Sequence, residues 1–355
     1  MPASSVVKHP RRLLILRFSA LGDVAMTVPV VASLAAQYPQ MQITVASQPF
    51  LAPLFDRLAP NVQFFGADIR KAYRGLRGLW QLSRTAPFQD CDAVADLHDV
   101  LRTKILRCFL RLRGKRLAVI DKHRREKRLL VEHKIFRPLP TSFALYAETL
   151  ARLGLPVKLN FERLKLGGNA LHLPFPFSTD TLHEPWLGLA PFAAHEGKIY
   201  PLEQMAEVVR LFFELHSHGR LFVFGSRKEM EMLRPTWGKG FERLVFVCDI
   251  LKGLDAELQL MARLNAMVSM DSGNMHLASL VGCPVVSIWG QTHPFAGFMG
   301  YHQAEENVVQ QDLHCRPCSI FGNAPCRYGD FRCLRDILPQ LIIDKVEEII
   351  SPEQD

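Results

Sequence analysis

The sequence predicts an α/β fold in which two Rossmann-like domains face each other across a cleft. Short apolar runs alternate with stretches of helical periodicity, an order typical of parallel sheets with helices on both faces. A Pro-rich stretch at residues 173–177 interrupts this alternation, which then starts again. We therefore predict an N-terminal domain over residues 1–172 and a C-terminal domain over 173–335. A last helix within 336–355 is expected to pack back on the N-terminal domain.

The N-terminal domain opens with an apolar run at residues 13–18, which predicts its first strand. A loop of small residues follows, and then apolar residues at helical spacing predict a helix that ends at Tyr38, because Pro39 comes next. Further strands are predicted at residues 42–47, 92–96 and 117–120, and a helix at 101–112.

The C-terminal domain is predicted from the same alternation. Its strands are expected at residues 186–191, 221–224, 244–247, 266–270 and 285–289. Its helices are expected at residues 202–216, 256–264 and 275–281. Sheets of this kind bind ligands at the carboxyl ends of their strands, so the loops that follow strands are the first places to search for functional residues.

Composition narrows the protein class. The chain has 355 residues, of which 48% are hydrophobic and 22% charged, as in ordinary globular proteins. No apolar stretch reaches the ~18 residues of a membrane-spanning helix. The apolar run Leu13–Leu16 is too short for a signal peptide and is interrupted by Arg17. These features predict a cytoplasmic protein.

The loop after the first strand reads Ser19-Ala20-Leu21-Gly22-Asp23 and leads into a helix. Its small residues allow a sharp turn, and Asp23 stands at the mouth of the helix. One interpretation is an N-cap whose carboxylate accepts free backbone N–H groups. The other is a general base at the floor of the cleft that takes a proton from a bound hydroxyl. The spacing leaves both open.

A second loop, Asp271-Ser272-Gly273-Asn274-Met275-His276, follows a predicted strand and opens a helix. Backbone N–H groups at a helix start carry partial positive charge and suit a phosphate, and His276 could add a donor. The alternative is an ordinary capped turn with a packed histidine.

Two further loops follow strands of the C-terminal domain. Lys198 would bring a compact positive charge to a diphosphate, or else is a solvated loop lysine. Glu229, in the turn after residues 221–224, could accept from a ribose hydroxyl.

Together these loops resemble glycosyltransferase family 9, the bacterial lipopolysaccharide heptosyltransferases. The resemblance rests on five fragments in the family's order: Arg17-Phe18-Ser19-Ala20-Leu21-Gly22-Asp23-Val24 with Thr27-Val28-Pro29, Lys198 with Tyr200-Pro201, residues 271–278, Gly282-Cys283-Pro284-Val285-Val286, and Gly290-Gln291-Thr292. Two positions depart from the common pattern, Tyr200 for a frequent Trp and Ser272 for a frequent Thr.

The resemblance implies a GT-B fold and inverting transfer of heptose from ADP-heptose to a lipopolysaccharide core or lipid A-type acceptor. It implies Asp23 as the general base. Lys198, with the backbone of Ser272 and Gly273 and with His276 and Asp271 nearby, would hold the diphosphate. Contacts to the substrates by Ser19, Gly22, Arg102 and Glu229 are also implied. No cofactor is expected for catalysis, since no D-x-D motif lies in a matching loop.

The formal net charge of +8 is uneven. Residues 102–137 hold 14 Lys and Arg against 3 Asp and Glu, a net charge of +11 that leaves −3 for the rest. The densest run contains Arg124, Arg125, Lys127 and Arg128. We interpret it as a docking patch of the N-terminal half for an anionic glycolipid at the inner face of the inner membrane. The alternative is a solvated helix face.

Four cysteines cluster near the end, at Cys315, Cys318, Cys326 and Cys333. Their spacing is compatible with a structural zinc site, with disulfides or with free thiols. The other four, Cys91, Cys108, Cys248 and Cys283, are expected to be buried.

Two other functions compete with heptosyl transfer. One is a GT-B transferase that uses another nucleotide sugar for a surface glycan. The other is a nucleic-acid-binding protein that uses residues 102–137, but this segment lacks interleaved aromatic residues, and the function would leave the loops of the C-terminal domain unexplained. We therefore expect a nucleotide-sugar donor and an anionic glycolipid acceptor, with no nucleic acid partner.

Overall fold

The computed structural model describes residues 9–167 and 185–351. These residues form two compact units. Unit 1 contains the described residues up to Lys122 together with Pro140–Lys165, and unit 2 contains His123–Leu139 and the described residues after Lys165. Each unit is a parallel sheet covered by helices, which confirms the predicted α/β class with two Rossmann-like domains. The predicted linker at 173–177 lies outside the described residues.

The elements of residues 9–167 alternate largely as predicted. The strands are β1 (Arg12–Leu16), β2 (Gln42–Ser47), β3 (Val62–Gly66), β4 (Ala93–Asp96) and β5 (Arg116–Val119). The helices are α1 (Leu21–Ala25), α2 (Val28–Gln37), α3 (Gly75–Leu82), α4 (Ala86–Asp90), α5 (Leu101–Leu112), α6 (Arg124–Val131) and α7 (Ser142–Ala151), with a 3-10 helix at Pro49–Leu54.

The sheet of unit 1 has the order β3-β2-β1-β4-β5, and all its strand pairs are parallel. The chain leaves β1 toward β2 on one side, and it later returns to place β4 on the other side. This reversal puts the loops after β1 and β4 next to each other at the carboxyl edge, the place where such sheets form crevices.

The helix predicted to run to Tyr38 is two helices. Helix α1 ends at Ala25 and α2 begins at Val28, with Pro29 in its first turn. Proline has no N–H to donate and a fixed φ, so it suits the first turn of a new helix better than the middle of a long one.

The elements of residues 185–351 include all five predicted strands. The strands are β6 (Trp186–Ala190), β7 (Arg220–Val223), β8 (Leu244–Phe246), β9 (Ala266–Met270), β10 (Val285–Trp289) and β11 (Val308–Gln310). The helices are α8 (Leu202–Leu215), α9 (Arg227–Gly240), α10 (Val247–Ile250), α11 (Leu254–Met261), α12 (Gly273–Leu280), α13 (Arg332–Arg335) and α14 (Pro339–Ile350). Short 3-10 helices lie at Glu196–Lys198, Pro294–Ala296 and Glu305–Asn307.

The sheet of unit 2 has the order β11-β10-β9-β6-β7-β8 and is also parallel. Its reversal point lies between β6 and β9, so the loops after these two strands are neighbours. They are the two loops in which the sequence predicts functional residues, one with Lys198 and the other with Asp271.

Helix α14 corrects one expectation. Its buried residues Ile342, Ile343 and Val346 belong to the core of unit 2, together with Met205 and Val209 of α8. The buried face of the last helix therefore packs in the core of the C-terminal unit, whereas the prediction was packing on the N-terminal domain. Amphipathic spacing predicts that a helix buries one face but does not identify the surface that covers it.

The densest basic run, Arg124 to Arg128, was expected in the N-terminal half and lies elsewhere. Helix α6 belongs to unit 2, where Leu130 and Leu139 pack with Ala296. The Lys127 ammonium lies 4.3 Å from the centre of the Phe298 ring. The predicted patch therefore does not lie wholly in the N-terminal half.

Within residues 9–167 and 185–351, no helix is long and apolar enough to cross a bilayer. Two of the cysteines expected to be buried, Cys91 and Cys283, are buried, whereas Cys108 is exposed and Cys248 is partly exposed. Cys108 lies on the outward face of α5, where the surrounding apolar sequence gave the wrong impression of burial.

Candidate functional site

Asp23 lies in the loop region after β1, as the third residue of α1. Its Oδ2 accepts a hydrogen bond from the Ala20 backbone N–H at 3.2 Å and pairs with Arg17 Nη2 at 2.5 Å. The N-cap position is occupied by Ala20 and not by Asp23. The carboxylate thus satisfies one backbone N–H at the helix start, while its side chain remains 32% exposed. The capping interpretation and the catalytic one are compatible in this geometry.

The ion pair with Arg17 anchors the Asp23 carboxylate to the interior of unit 1. The residue is buried, and its Nη1 donates to the Leu97 carbonyl at 2.6 Å. Burial works against its charged form, but Tyr146 and Asp23 outweigh burial and raise the pKa of Arg17. The Tyr146 hydroxyl also donates to the Asp23 carbonyl at 3.2 Å. Asp23 is therefore fixed through its side chain and its backbone.

His98 comes from the loop after β4, as the strand order requires. It is buried, with Nδ1 3.4 Å from the Phe18 backbone N and Nε2 3.4 Å from Ser19 Oγ. Burial, followed by the charges of Arg17 and Lys122, lowers the pKa of His98 to about 3. A neutral imidazole therefore supports the Ser19 turn at all ordinary pH values.

The loop after β4, which carries His98, is held at its start by the Asp96 carboxylate. Asp96, at the end of β4, accepts the backbone N–H groups of His98 and Asp99 at 2.9 and 3.0 Å. Arg107 Nη1 lies 3.0 Å from Asp96 Oδ2. Arg102 is exposed in the first turn of α5, close enough for its charge to contribute to the lowered pKa of His98. Unit 1 thus brings Arg102 to the surroundings of Asp23.

Gly22 occupies the first turn of α1, and its carbonyl accepts the Met26 N–H at 2.9 Å. Ser19 in the loop and Gly22 and Asp23 in the first turn of α1 therefore lie in one short, partly exposed segment. Their roles as site residues stay predictions. Arg17 and His98, which hold the loop, were not predicted as functional, since an arginine after an apolar strand and a histidine two residues beyond another strand carry no local signal of this contact.

Lys198 and Asp271 meet at the reversal point of the sheet in unit 2. Lys198 Nζ lies 3.4 Å from Asp271 Oδ2, and the two side chains are 13% and 7% exposed. The Lys198 stem packs on Gly322, where an added Cβ would lie 2.4 Å from Lys198 Cγ. This lysine is therefore largely buried and paired, which contradicts the alternative of a solvated loop lysine.

Ser272 is the N-cap of α12, and Gly273 is the first residue of that helix. The Ser272 side chain does not cap the helix; its Oγ lies 3.3 Å from Ser269 Oγ. The helix start, with its partial positive charge, thus follows directly after the Asp271 carboxylate that pairs with Lys198. His276 lies in the next turn and is 6% exposed.

Glu229 is engaged in a capping box at the start of α9. Its Oε2 accepts from the Ser226 backbone N at 2.7 Å and from Ser226 Oγ at 2.8 Å. The Glu229 N–H donates to Ser226 Oγ at 3.3 Å. This geometry explains the residue type by helix capping. The predicted contact of Glu229 with a nucleoside sugar stays a prediction.

The four clustered cysteines line one small cavity of unit 2. All are free thiols, so the disulfide alternative is not seen. The Phe331 N–H donates to Cys326 Sγ at 3.4 Å. No group of three or more His, Cys, Asp or Glu in the part of the chain that the structure describes is arranged to hold a metal ion. The structural zinc site at Cys315, Cys318, Cys326 and Cys333 therefore stays a prediction.

Arg316, between the first two of these cysteines, is a buried residue that sequence analysis did not single out. Its guanidinium donates to the carbonyls of Trp289, Gly290 and Thr292 at 3.1, 2.5 and 2.8 Å. Trp289 is the last residue of β10, and Gly290 and Thr292 belong to the loop that follows, so Arg316 ties that loop to the carboxyl end of the strand.

Comparison with known proteins identifies relatives that match most of the chain. A family model described as glycosyltransferase family 9 (heptosyltransferase) matches residues 84–324. A lipopolysaccharide core heptosyltransferase, OpsX of Haemophilus influenzae, is 24% identical over 303 residues, which cover 80% of each chain. Lipooligosaccharide heptosyltransferase 2 of Campylobacter jejuni is 22% identical over 336 residues, 94% of this chain and 97% of the relative.

A solved structure shares the fold. The ADP-heptose lipopolysaccharide heptosyltransferase II of E. coli is 20% identical, covers 97% of this chain and 100% of its own, and superposes with a TM-score of 0.68. The expected GT-B class is thereby confirmed.

Proposed function

Because the chain belongs to glycosyltransferase family 9, we propose that it moves heptose from ADP-heptose to a lipopolysaccharide core or lipid A-type acceptor with inversion at the anomeric carbon. The names of the two sequence relatives support heptosyl transfer in the synthesis of this glycolipid. ADP-heptose is the donor named for the E. coli relative. The reaction would take place on the cytoplasmic side of the inner membrane.

One observation in particular supports the donor site: Lys198 is held 3.4 Å from Asp271, directly before the start of α12. In the proposal, the diphosphate binds to Lys198 and to the N–H groups of Ser272 and Gly273, with His276 beside them. Fixed donors of this kind stabilise the negative charge that grows on a departing nucleotide diphosphate. Glu229 would contact the nucleoside sugar through the edge of its capping box.

Asp23 is proposed as the general base of the acceptor side. An acceptor hydroxyl attacks the anomeric carbon of the heptose, and its proton passes to the Asp23 carboxylate as the new C–O bond forms. The bond between the anomeric carbon and the diphosphate oxygen breaks, and ADP keeps that electron pair. Such proton transfer contributes typically ~10²–10⁴-fold to a rate. Ser19, Gly22 and Arg102 would help to hold the acceptor.

No cofactor enters this proposal for catalysis. The charge of the leaving group is assigned to Lys198 and the helix N–H groups, and the four cysteines are assigned no part in the transfer. If they bind zinc, tetrahedral thiolate ligation would make the ion structural.

A donor-binding screen tests the proposal. Thermal shifts of the purified protein would be measured with ADP-heptose, ADP, and UDP- and GDP-sugars, and ADP-heptose is expected to give the largest shift. Lys198→Met should weaken ADP-heptose binding by about tenfold to a hundredfold, the usual effect of losing a charge-assisted hydrogen bond to a phosphate. Lys239→Met, at an exposed lysine of α9, is the matched control and should bind like the unmodified protein.

Two results would overturn it. A UDP- or GDP-sugar that binds more tightly than ADP-heptose would point to another donor and to a different surface glycan. Unchanged ADP-heptose binding by Lys198→Met would remove this lysine from the donor site.

A further inference from the structure

Residues 69–89 of unit 1 form a second basic stretch, separate from residues 102–137. It contains five cations and no acid: Arg70, Lys71, Arg74, Arg77 and Arg84. All five are exposed. Within residues 9–167 and 185–351, none of these five side chains forms an ion pair with a carboxylate. The neighbouring Asp68 carboxylate accepts the backbone N–H groups of Arg70 and Lys71 instead. Their charge is therefore available to a partner.

Helix α3 lies within this stretch and has two different faces. Leu79 and Leu82 are buried in the core of unit 1. Leu76 and Trp80, four residues apart and thus on one side of the helix, are 65% and 47% exposed. Two large apolar side chains therefore point away from the core among the five cations.

The helix presents this face rigidly. A Cβ at Gly78 would lie 2.3 Å from the Tyr73 carbonyl carbon, so α3 is pressed against the segment that carries the first cations. Arg113 of the turn after α5 donates to the Ser83 carbonyl at the end of α3. The Arg84 guanidinium lies 4.8 Å from the centre of the Trp80 ring. The outer face thus presents Leu76 beside a Trp80 ring that is in contact with Arg84.

This combination fits the surface of an anionic bilayer. Trp and Leu enter the boundary between headgroups and acyl chains, and Lys and Arg around them attract anionic lipids. A single-stranded nucleic acid would need a row of aromatic side chains for stacking, and α3 offers one tryptophan. The cations of α6 fit the bilayer less well, because Arg128 lies 3.5 Å from Glu132, and Lys127 is drawn to Phe298.

We propose that the outer face of α3, with Leu76, Trp80 and the five cations of residues 69–89, is the surface through which this protein binds an anionic membrane. This proposal rests on the proposed function in one respect: a lipid-linked acceptor requires an enzyme at the bilayer. Binding to vesicles can be measured without donor or acceptor.

The test is co-sedimentation of the full chain with vesicles of phosphatidylglycerol and phosphatidylcholine, and with vesicles of phosphatidylcholine alone. The protein is expected to bind only the anionic vesicles and to be released as salt rises, because screening shortens the reach of its charges to ~10 Å at 0.1 M. Each cation near an anionic surface raises the partition coefficient of the protein between vesicles and water about fivefold. The double variant Arg74→Gln with Arg77→Gln should therefore bind anionic vesicles about 25-fold more weakly.

The apolar part is tested by Leu76→Ser and Trp80→Ser, each expected to lower binding about tenfold without loss of the folded state in thermal melts. Leu338→Ser is the matched control, since Leu338 is a 67% exposed leucine of unit 2. Lys239→Gln with Lys252→Gln, at two exposed lysines, removes the same charge elsewhere. Both controls should bind vesicles like the unmodified protein.

Equal losses in the α3 variants and the controls would show that net charge alone drives binding and would overturn the proposal. Failure of the unmodified protein to bind anionic vesicles, with tight binding to polyuridylate instead, would also overturn it in favour of a nucleic acid partner. Vesicle binding that depends on α3 in a protein that does not bind ADP-heptose would refute the proposed donor and leave this surface standing.

Discussion

Asp23→Asn tests the proposed chemistry most directly, because it removes the base and leaves the shape of the loop. The amide can still accept the Ala20 N–H, but it cannot take the acceptor proton. We expect kcat to fall ~10²–10⁴-fold, the contribution of a general base. The apparent affinity for ADP-heptose should change little, since the proposed donor contacts come from Lys198 and α12.

The substitution also has a stability cost that can be worked from the structure. Asp23 Oδ2 is 2.5 Å from Arg17 Nη2, and the Arg17 side chain is 7% exposed. Breaking a fully buried ion pair costs ~3–5 kcal/mol because one charge loses its partner. Because the Asp23 side chain is 32% exposed, its end of the pair is already partly solvated, and we expect a smaller loss of about 1–3 kcal/mol.

Asp99→Asn is the matched control for this cost. Asp99 also pairs with an arginine, with its Oδ1 3.2 Å from Arg107 Nη2, and its side chain is 17% exposed. Its φ of 42° is one that asparagine adopts readily. The control should lose some stability and keep transfer within about threefold of the unmodified rate.

The assay is the initial rate of heptose transfer to a core acceptor that lacks heptose, followed by mass spectrometry, with thermal melts of each variant. A folded Asp23→Asn protein that keeps more than a tenth of the unmodified kcat would refute the role of Asp23 as base. An equal loss of rate in Asp99→Asn would show that the effect comes from a disturbed unit 1 and not from a lost proton acceptor.

Three further predictions concern His98, the clustered cysteines and the cations of α6. Burial lowers the pKa of His98 to about 3 in the folded protein, whereas a histidine of the unfolded chain has a pKa of ~6.5. Between these values, acid protonates His98 in the unfolded chain only, so the stability present above pH ~6.5 is lost as pH falls toward 3. In denaturant melts of His98→Asn, the free energy of unfolding should therefore fall less steeply with falling pH than in the unmodified protein, by up to ~1.4 kcal/mol per pH unit over that range. An unchanged slope would contradict a buried, neutral His98. If the clustered cysteines hold zinc, mass spectrometric metal analysis should find about one ion per chain, lost in Cys318→Ser and kept in Cys108→Ser, whereas metal-free unmodified protein would end that prediction. Changing the four α6 cations to Gln should weaken acceptor binding several-fold in a calorimetric titration and spare ADP-heptose binding; loss of donor binding would contradict their assignment to the acceptor.

The sequence predicted the fold because a parallel sheet leaves a strong local record. Strands β6, β9 and β10 are buried along their whole length and appear as apolar runs between turn residues. The strand β3 was not predicted, because Val62–Gly66 is an edge strand with partly exposed side chains and no clean alternation. Helix α3 was also not predicted. It has only eight residues and contains Gly75 and Gly78, and glycine has a low helix propensity.

Long-range partners could not be predicted in the same way. The sequence placed Lys198 and Asp271 in loops after strands, but their pairing depends on β6 and β9 being neighbours in the sheet. Helix α6 shows the same limit, because its cations are separated from α5 by only a short strand and yet belong to unit 2. Contacts between residues far apart in the chain follow from strand order, which local periodicity does not encode.

The two proposed sites share a physical design that clarifies what their charged residues must do. In each unit, a side chain proposed for chemistry is already paired at the reversal point of the sheet, Asp23 with Arg17 and Lys198 with Asp271. A paired charge is weaker toward a ligand than a free one, but it is already held in place before the ligand arrives. Since a preorganised charge costs no rearrangement during the reaction, such pairing favours transition-state stabilisation over tight ground-state binding. Substitutions at Arg17 or Asp271 should therefore disturb kcat more than donor or acceptor affinity, although neither residue transfers a proton in the proposed reaction.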